Sequence, residues 1–193
     1  MRSDCFKDEL TLIRDKDLRL FITEYMEKYV PDYFYVVPAS SSGKYHPKYA
    51  LGAGGLVRHT KACVVIAEQL LSLEQYKSFN HDNIISALLI HDTFKQGLGT
   101  SGHTKFEHPM FSANAIKLFA TEYHSDMSAR ALEVAKLVVT HMGEWNKSSY
   151  SRLILPKPIS EEQKFVHMCD YLASRKNIEV AVEYEPPKEE EQQ

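Results

Sequence analysis

Thiols are scarce in this 193-residue chain: Cys5, Cys63 and Cys169 are its only cysteines. Their odd number, wide separation and lack of CxxC spacing argue against a disulfide framework and a thiolate zinc site. Cys63 and Cys169 fall in apolar helical stretches and read as small core residues. Long apolar runs are also missing, since none approaches the roughly 20 residues of a membrane-spanning helix. The opening MRSDCFKDEL is charged and has no apolar signal core. The expectation is a soluble, cytoplasmic protein with no membrane partner. An excess of one charge is absent too: 23 Lys and Arg face 26 Asp and Glu, a formal net charge of -3. That balance makes no global case for a nucleic-acid partner, although a local basic patch remains compatible with phosphate binding. Strand signals are weak, and YFYVV (Tyr33 to Val37) is the single candidate.

What the chain does have is apolar residues at helical spacing. Hydrophobic residues make up 44% of it, enough to cover a substantial core. The length suits one domain, read as residues 1–183, followed by an acidic, proline-bearing tail over 184–193 that is expected to be disordered. The first helix is predicted over 18–30, capped by Asp17 and stopped by Pro31. Residues 31–55 carry too many breakers for a helix. Further helices are predicted over 55–72, 82–92, 108–123 and 128–141, and from Ser160 onward, where Ser160 and Gln163 form a capping-box pattern. The stretches 93–107 and 143–159 read as irregular. The fold class is therefore all-α.

Several ionisable groups sit on or at the ends of these apolar stripes. His59 lies three residues after Leu56 and four before Cys63. His91 and Asp92 close a helix, and Asp170 shares a buried face with Val166, Cys169 and Ala173. Burying unpaired charge is costly, so such groups need partners. A divalent cation satisfies several imidazoles and carboxylates together, and helical bundles build ligand sites from facing helices in this way. Each residue has an ordinary alternative, a hydrogen-bonded core histidine being the commonest; the constellation is more specific than its members.

The motifs His59 in GGLVRHT, His91-Asp92 in ALLIHDTFK and Asp170 in HMCDYLASR resemble the HD superfamily of metal-dependent phosphohydrolases, and Lys95 completes an HDxxK pattern. The resemblance implies an HD-type helical bundle with the metal site between its helices. It implies one or two divalent ions, with two expected, drawn from manganese, iron, magnesium, nickel, cobalt and zinc. His59, His91, Asp92 and Asp170 would hold the first. His108 in FEHPMFSA and His141 in VVTHMGEW would hold the second, with Asp92 bridging. A closer resemblance, over about residues 45–175, is to the HD domain of YhaM-type 3′-to-5′ exoribonucleases, carried by HPKYALGAGGLVRHT, THMGEW and PKPISEEQKFVHMCDYLASR. Those enzymes carry an OB-type nucleic-acid domain for which these 193 residues have no room.

The implied chemistry is attack on phosphorus by water activated at the metal centre. Asp92, Lys95 and His103 are the candidate catalytic residues, Lys95 for developing charge and His103 as a proton donor. Lys44, Tyr45, Lys48 and Arg175 are the candidate substrate-binding residues, with Tyr45 and Tyr49 suited to stacking on a base. Arg58 and Lys105 are weaker cationic candidates, and His167 reads as a supporting or packing residue. His46, His81 and His124 read as surface or capping residues. The expected substrate is a phosphate ester: a nucleotide, cyclic nucleotide or short oligonucleotide cleaved by a phosphodiesterase or nucleotidase. The alternatives are a non-catalytic module that senses a nucleotide or binds a partner, and exonuclease-like processing of nucleic acid.

Overall fold

A computed structural model describes residues 2–40, 43–44, 46–99, 102–123 and 126–187. Among them are seven α-helices: α1 (Lys7–Thr11), α2 (Lys16–Lys28), α3 (Gly55–Leu71), α4 (His81–Ile90), α5 (His108–Glu122), α6 (Ser128–Val138) and α7 (Glu161–Ala173). The only strand-like pairing among the described residues is an isolated bridge between Lys147 and Ile154. The all-α expectation therefore holds. No helix among the described residues is long and apolar enough to cross a membrane.

Local chemistry sets the helix ends. Asp15, not Asp17, caps α2, accepting from the backbone N–H groups of Asp17 and Leu18; Asp17 sits one turn in, where its charge suits the helix N-terminus. Asn80 caps α4 through the N–H of Asn83. Ser160 and Gln163 make the reciprocal capping box on α7. Gly54, at φ +69°, opens α3, and a Cβ on Gly55 would lie 2.3 Å from the Ala50 carbonyl oxygen. Helix α6 ends at Val138, so His141 stands on the turn beyond it and not within the helix.

The strand candidate is corrected. Asp32–Tyr35 forms a 3-10 turn in which Tyr33, Phe34 and Tyr35 are all buried. A strand needs a neighbouring strand to pair its backbone groups, and the described residues contain no sheet for this segment to join. The Tyr33 hydroxyl donates to the Gly97 carbonyl at 2.8 Å and accepts from the Gln96 N–H at 3.2 Å. The carbonyls of Val36 and Val37 accept from the N–H groups of Gly54 and Leu56, satisfying donors that the start of α3 leaves open.

The helices pack as a series: α7 against α3, α3 against α4, α4 against α6, and α6 against α5. Helix α4 lies at the centre, buried from Asn83 to Ile90, as its near-continuous apolar sequence requires. Five helices therefore surround the point where α4 ends in His91-Asp92. The chain beyond α7 folds back on the core: Tyr184 packs against it, and its carbonyl accepts from Arg58. Residues 188–193, the rest of the acidic segment, lie outside the described residues.

Candidate metal centre

Five helices deliver six groups to this point. His59 projects from α3, His91 is the C-cap of α4, and Asp92 follows it. His108 is the first residue of α5, His141 follows α6, and Asp170 lies in the last turn of α7. His59, His91, Asp92, His108 and His141 are fully buried; the Asp170 side chain is 18% exposed.

The backbone orients three of the imidazoles. His91 Nδ1 donates to the Leu88 carbonyl at 2.7 Å, His108 Nδ1 to the Lys105 carbonyl at 2.7 Å, and His141 Nδ1 to the Val138 carbonyl at 2.8 Å. A carbonyl only accepts, so the proton of each neutral ring is on Nδ1 and the Nε2 lone pair faces inward. Those lone pairs converge on Asp92. His108 Nε2 lies 2.9 Å and His141 Nε2 3.6 Å from Asp92 Oδ1, while His91 Nε2 is 3.5 Å from Oδ2. On the other side, His59 Nε2 lies 3.0 Å and His91 Nε2 3.7 Å from Asp170 Oδ1. His59 Nε2 is 3.9 Å from Asp92 Oδ2.

Despite this proximity, His91 Nε2, Asp92 Oδ1 and His59 Nδ1 have no hydrogen-bond partner. For Asp92 Oδ1 the 2.9 Å approach of His108 explains why: with the ring proton committed to Lys105, both facing atoms are acceptors. Buried acceptors in contact repel unless a cation lies between them. Metal–nitrogen and metal–oxygen bonds of about 2.0–2.2 Å place two donors on one ion about 3 Å apart or a little more. The observed separations are of that size.

The donors form two groups that could each hold an ion: His59, Cys63, His91 and Asp170, and Asp92, His108 and His141. Asp92 faces the second group through Oδ1 and the first through Oδ2. Cys63 is the unexpected member. Its Sγ lies 3.6 Å from His59 Nε2, because residues four apart share a helix face. Burial pushes its thiol pKa up, so without a cation it stays the small, protonated core side chain that its sequence context indicates.

Charge balance around Asp92 is tight. Burial disfavours its ionisation, but the Lys95 ammonium and the surrounding imidazoles hold its carboxyl well below the usual range. Lys95 donates directly to Asp92 Oδ2. Without a cation, burial likewise opposes a charged His91, yet Asp92 and Asp170 together keep its pKa above the ordinary value; an ion on Nε2 takes the place of that proton. His108 goes the other way, its pKa lowered to about 4 by burial.

The remaining described candidates differ in exposure and in bonding. Lys44 and Lys48 are exposed ahead of α3, and His103 is exposed on the loop before α5. Tyr45 and His124 lie outside the described residues. Tyr49 is no stacking platform: it packs against the core and its hydroxyl donates to the Ala173 carbonyl at 2.8 Å. Arg58 spends its guanidinium on the carbonyls of Tyr49, Leu51, Ala53 and Tyr184, which makes it a clamp between segments. Lys105 contributes its carbonyl to His108. Arg175 lies over the Tyr171 and Trp145 rings. His167 donates to the His141 carbonyl at 2.7 Å. His81, read as peripheral, pairs with Glu68 and Asp82.

Sequence reasoning missed His46. Its half-buried ring stands 6.1 Å from that of His59, its Nδ1 has no partner, and burial lowers its pKa to about 4. It belongs to the breaker-rich segment before α3, where no periodicity indicates which way a side chain points.

Residues 56–175 match the HD domain family, covering the span from the start of α3 to just beyond α7. No curated protein and no solved structure matches the chain.

Proposed function

Since this chain belongs to the HD-domain family, we propose that it is a metal-dependent phosphohydrolase, and more narrowly a phosphodiesterase acting on a nucleotide, cyclic nucleotide or short oligonucleotide. The observation that carries this reading is the set of three buried imidazoles, each with its Nδ1–H tied to a backbone carbonyl and its Nε2 aimed at one carboxylate. A structural histidine cluster would share protons among its members; His91, His108 and His141 direct theirs to the backbone instead.

His59, His91 and Asp170 would hold one ion, with Cys63 beside them, and His108 and His141 a second, with Asp92 between the two. Divalent ions there supply Lewis acidity, neutralising phosphate oxygens and making water nucleophilic near neutral pH. The protein residues do the rest. The carbonyls of Leu88, Lys105 and Val138 fix the ring orientations, as supporting partners of ligand histidines commonly do. Burial excludes bulk water and strengthens each electrostatic contact. Lys95 keeps its positive charge, since Asp92 and Asp170 outweigh the burial that opposes it. It thereby offers a donor to a phosphoryl oxygen as negative charge develops. His46, with its ring 6.1 Å from that of His59, keeps a ring nitrogen without a partner.

The test is metal analysis of the purified protein, followed by hydrolysis of bis(p-nitrophenyl) phosphate with added manganese. Bound metal and turnover that both disappear in the double variant His91→Ala, Asp92→Ala support the reading. Turnover that survives the double variant refutes the site.

A further inference from the structure

The proposed chemistry accounts for the phosphate end of a nucleotide and leaves open what holds its base. Beside the histidine–aspartate cluster stands an aromatic surface that the chemistry above does not use. Trp145, the only tryptophan of the chain, closes the 3-10 turn Gly143–Trp145 just after His141 and is 48% exposed. Its ring stacks on that of Tyr171, with centroids 5.5 Å apart and planes only 13° from parallel. The Arg175 guanidinium lies 4.3 Å from the Tyr171 centroid and 5.7 Å from that of Trp145.

This surface is tied to the cluster at both ends. Tyr171 follows Asp170 directly on α7. His167, one turn earlier, donates to the His141 carbonyl, and its ring stands 5.8 Å from that of Trp145. A nearly planar aromatic pair, half in water and backed by a guanidinium, is costly as mere surface, because indole prefers to bury its area. It suits a flat, electron-delocalised ligand, for which stacking on aromatic and guanidinium planes is the usual mode of capture.

We infer that Trp145, backed by Tyr171 and flanked by Arg175, is the stacking site for the base of a nucleotide whose phosphate enters the histidine–aspartate cluster. This rests on the phosphohydrolase reading for the phosphate end and adds the residues that would hold the base at the other. Arg175 keeps a substrate-facing role, through the base in place of the phosphate.

The lone tryptophan makes the test direct. The full-length, magnesium-loaded protein is titrated with 5′-AMP, with adenosine and with ribose 5-phosphate while indole emission is followed, and each Kd is measured by calorimetry. The expected result is saturable quenching by AMP and no change in emission with ribose 5-phosphate, which binds at least tenfold more weakly. Trp145→Ala should weaken AMP at least tenfold and leave ribose 5-phosphate unchanged, and Trp145→Phe should recover most of the loss. Equal affinities for AMP and ribose 5-phosphate, or AMP binding indifferent to Trp145→Ala, overturns the shelf while leaving the phosphate site intact. Quenching by adenosine alone, with no binding of ribose 5-phosphate, supports the shelf and counts against the phosphohydrolase reading. Absence of binding by all three overturns both.

Discussion

His108 and His141 bring their Nε2 atoms within 3.1 Å of each other, although each has given its Nδ1 proton to a backbone carbonyl. In neutral rings that contact sets lone pair against lone pair, beside a carboxylate oxygen that is itself without a partner. A cation held by all three atoms turns the repulsion into coordination. His108→Ala is therefore expected to lower the manganese content of the saturated protein from two ions to one, leaving the ion on His59, His91 and Asp170. Elemental analysis after equilibrium dialysis decides it; an unchanged stoichiometry would remove His108 from the ligands.

Lys95 acts on charge without being a ligand. Its ammonium is bonded to Asp92 Oδ2, the oxygen turned toward the first donor group. Lys95→Met should reduce kcat by about 10²- to 10³-fold, the usual loss when one donor to a developing oxyanion is removed. Metal content should persist, because no ion depends on the ammonium. Steady-state kinetics beside elemental analysis separates this outcome from a collapse of the site.

Gly143 holds the turn after His141 at φ +55°, and a Cβ there would fall 2.2 Å from the His167 ring. Gly143→Ala should cost about 1–3 kcal/mol through backbone strain, and more through displacement of His167 from the His141 carbonyl. Metal affinity should fall about 10- to 100-fold, as when the supporting partner of a ligand is lost. Pairing Gly143→Ala with His167→Ala relieves the overlap, so the two unfolding costs, measured in urea, should be less than additive.

The acid response of the metal-free protein follows from two imidazoles. Burial lowers the pKa values of His46 and His108 from 6.5 to about 4. Between those limits the unfolded chain takes up protons that the folded chain refuses, so stability falls as pH falls through that window. One proton corresponds to about 1.4 kcal/mol per pH unit. His91 has the opposite shift, and its contribution is fully present by the time pH has fallen to 6.5. Chemical denaturation in chelator should show a midpoint decreasing from pH 6.5 toward pH 4, with a shallower slope in His108→Gln. A flat profile would mean that His108 takes up a proton in the folded state as readily as in the unfolded one.

Residue spacing alone made His59, His91-Asp92 and Asp170 conspicuous, since each is a polar group on or at the end of an apolar helical stripe, and such interruptions are rare enough to notice. The helical fold was legible for the same reason: apolar periodicity and the Ser160–Gln163 cap are local properties of the chain. What lay beyond sequence was everything set by contacts between distant segments. Cys63 and His59 share a helix face in any reading, but only the packing of α3 against α4 and α7 turns that face toward His91 and Asp170. His46 and the Trp145–Tyr171 stack depend on irregular segments, where no repeat fixes the direction of a side chain. The aromatic run after Pro31 had the composition of a strand and became a buried 3-10 turn, because no neighbouring strand among the described residues is placed to pair with it. Local patterns thus determined which residues would be buried and helical, and tertiary packing alone decided which buried groups face one another, because that depends on surfaces brought from far along the chain.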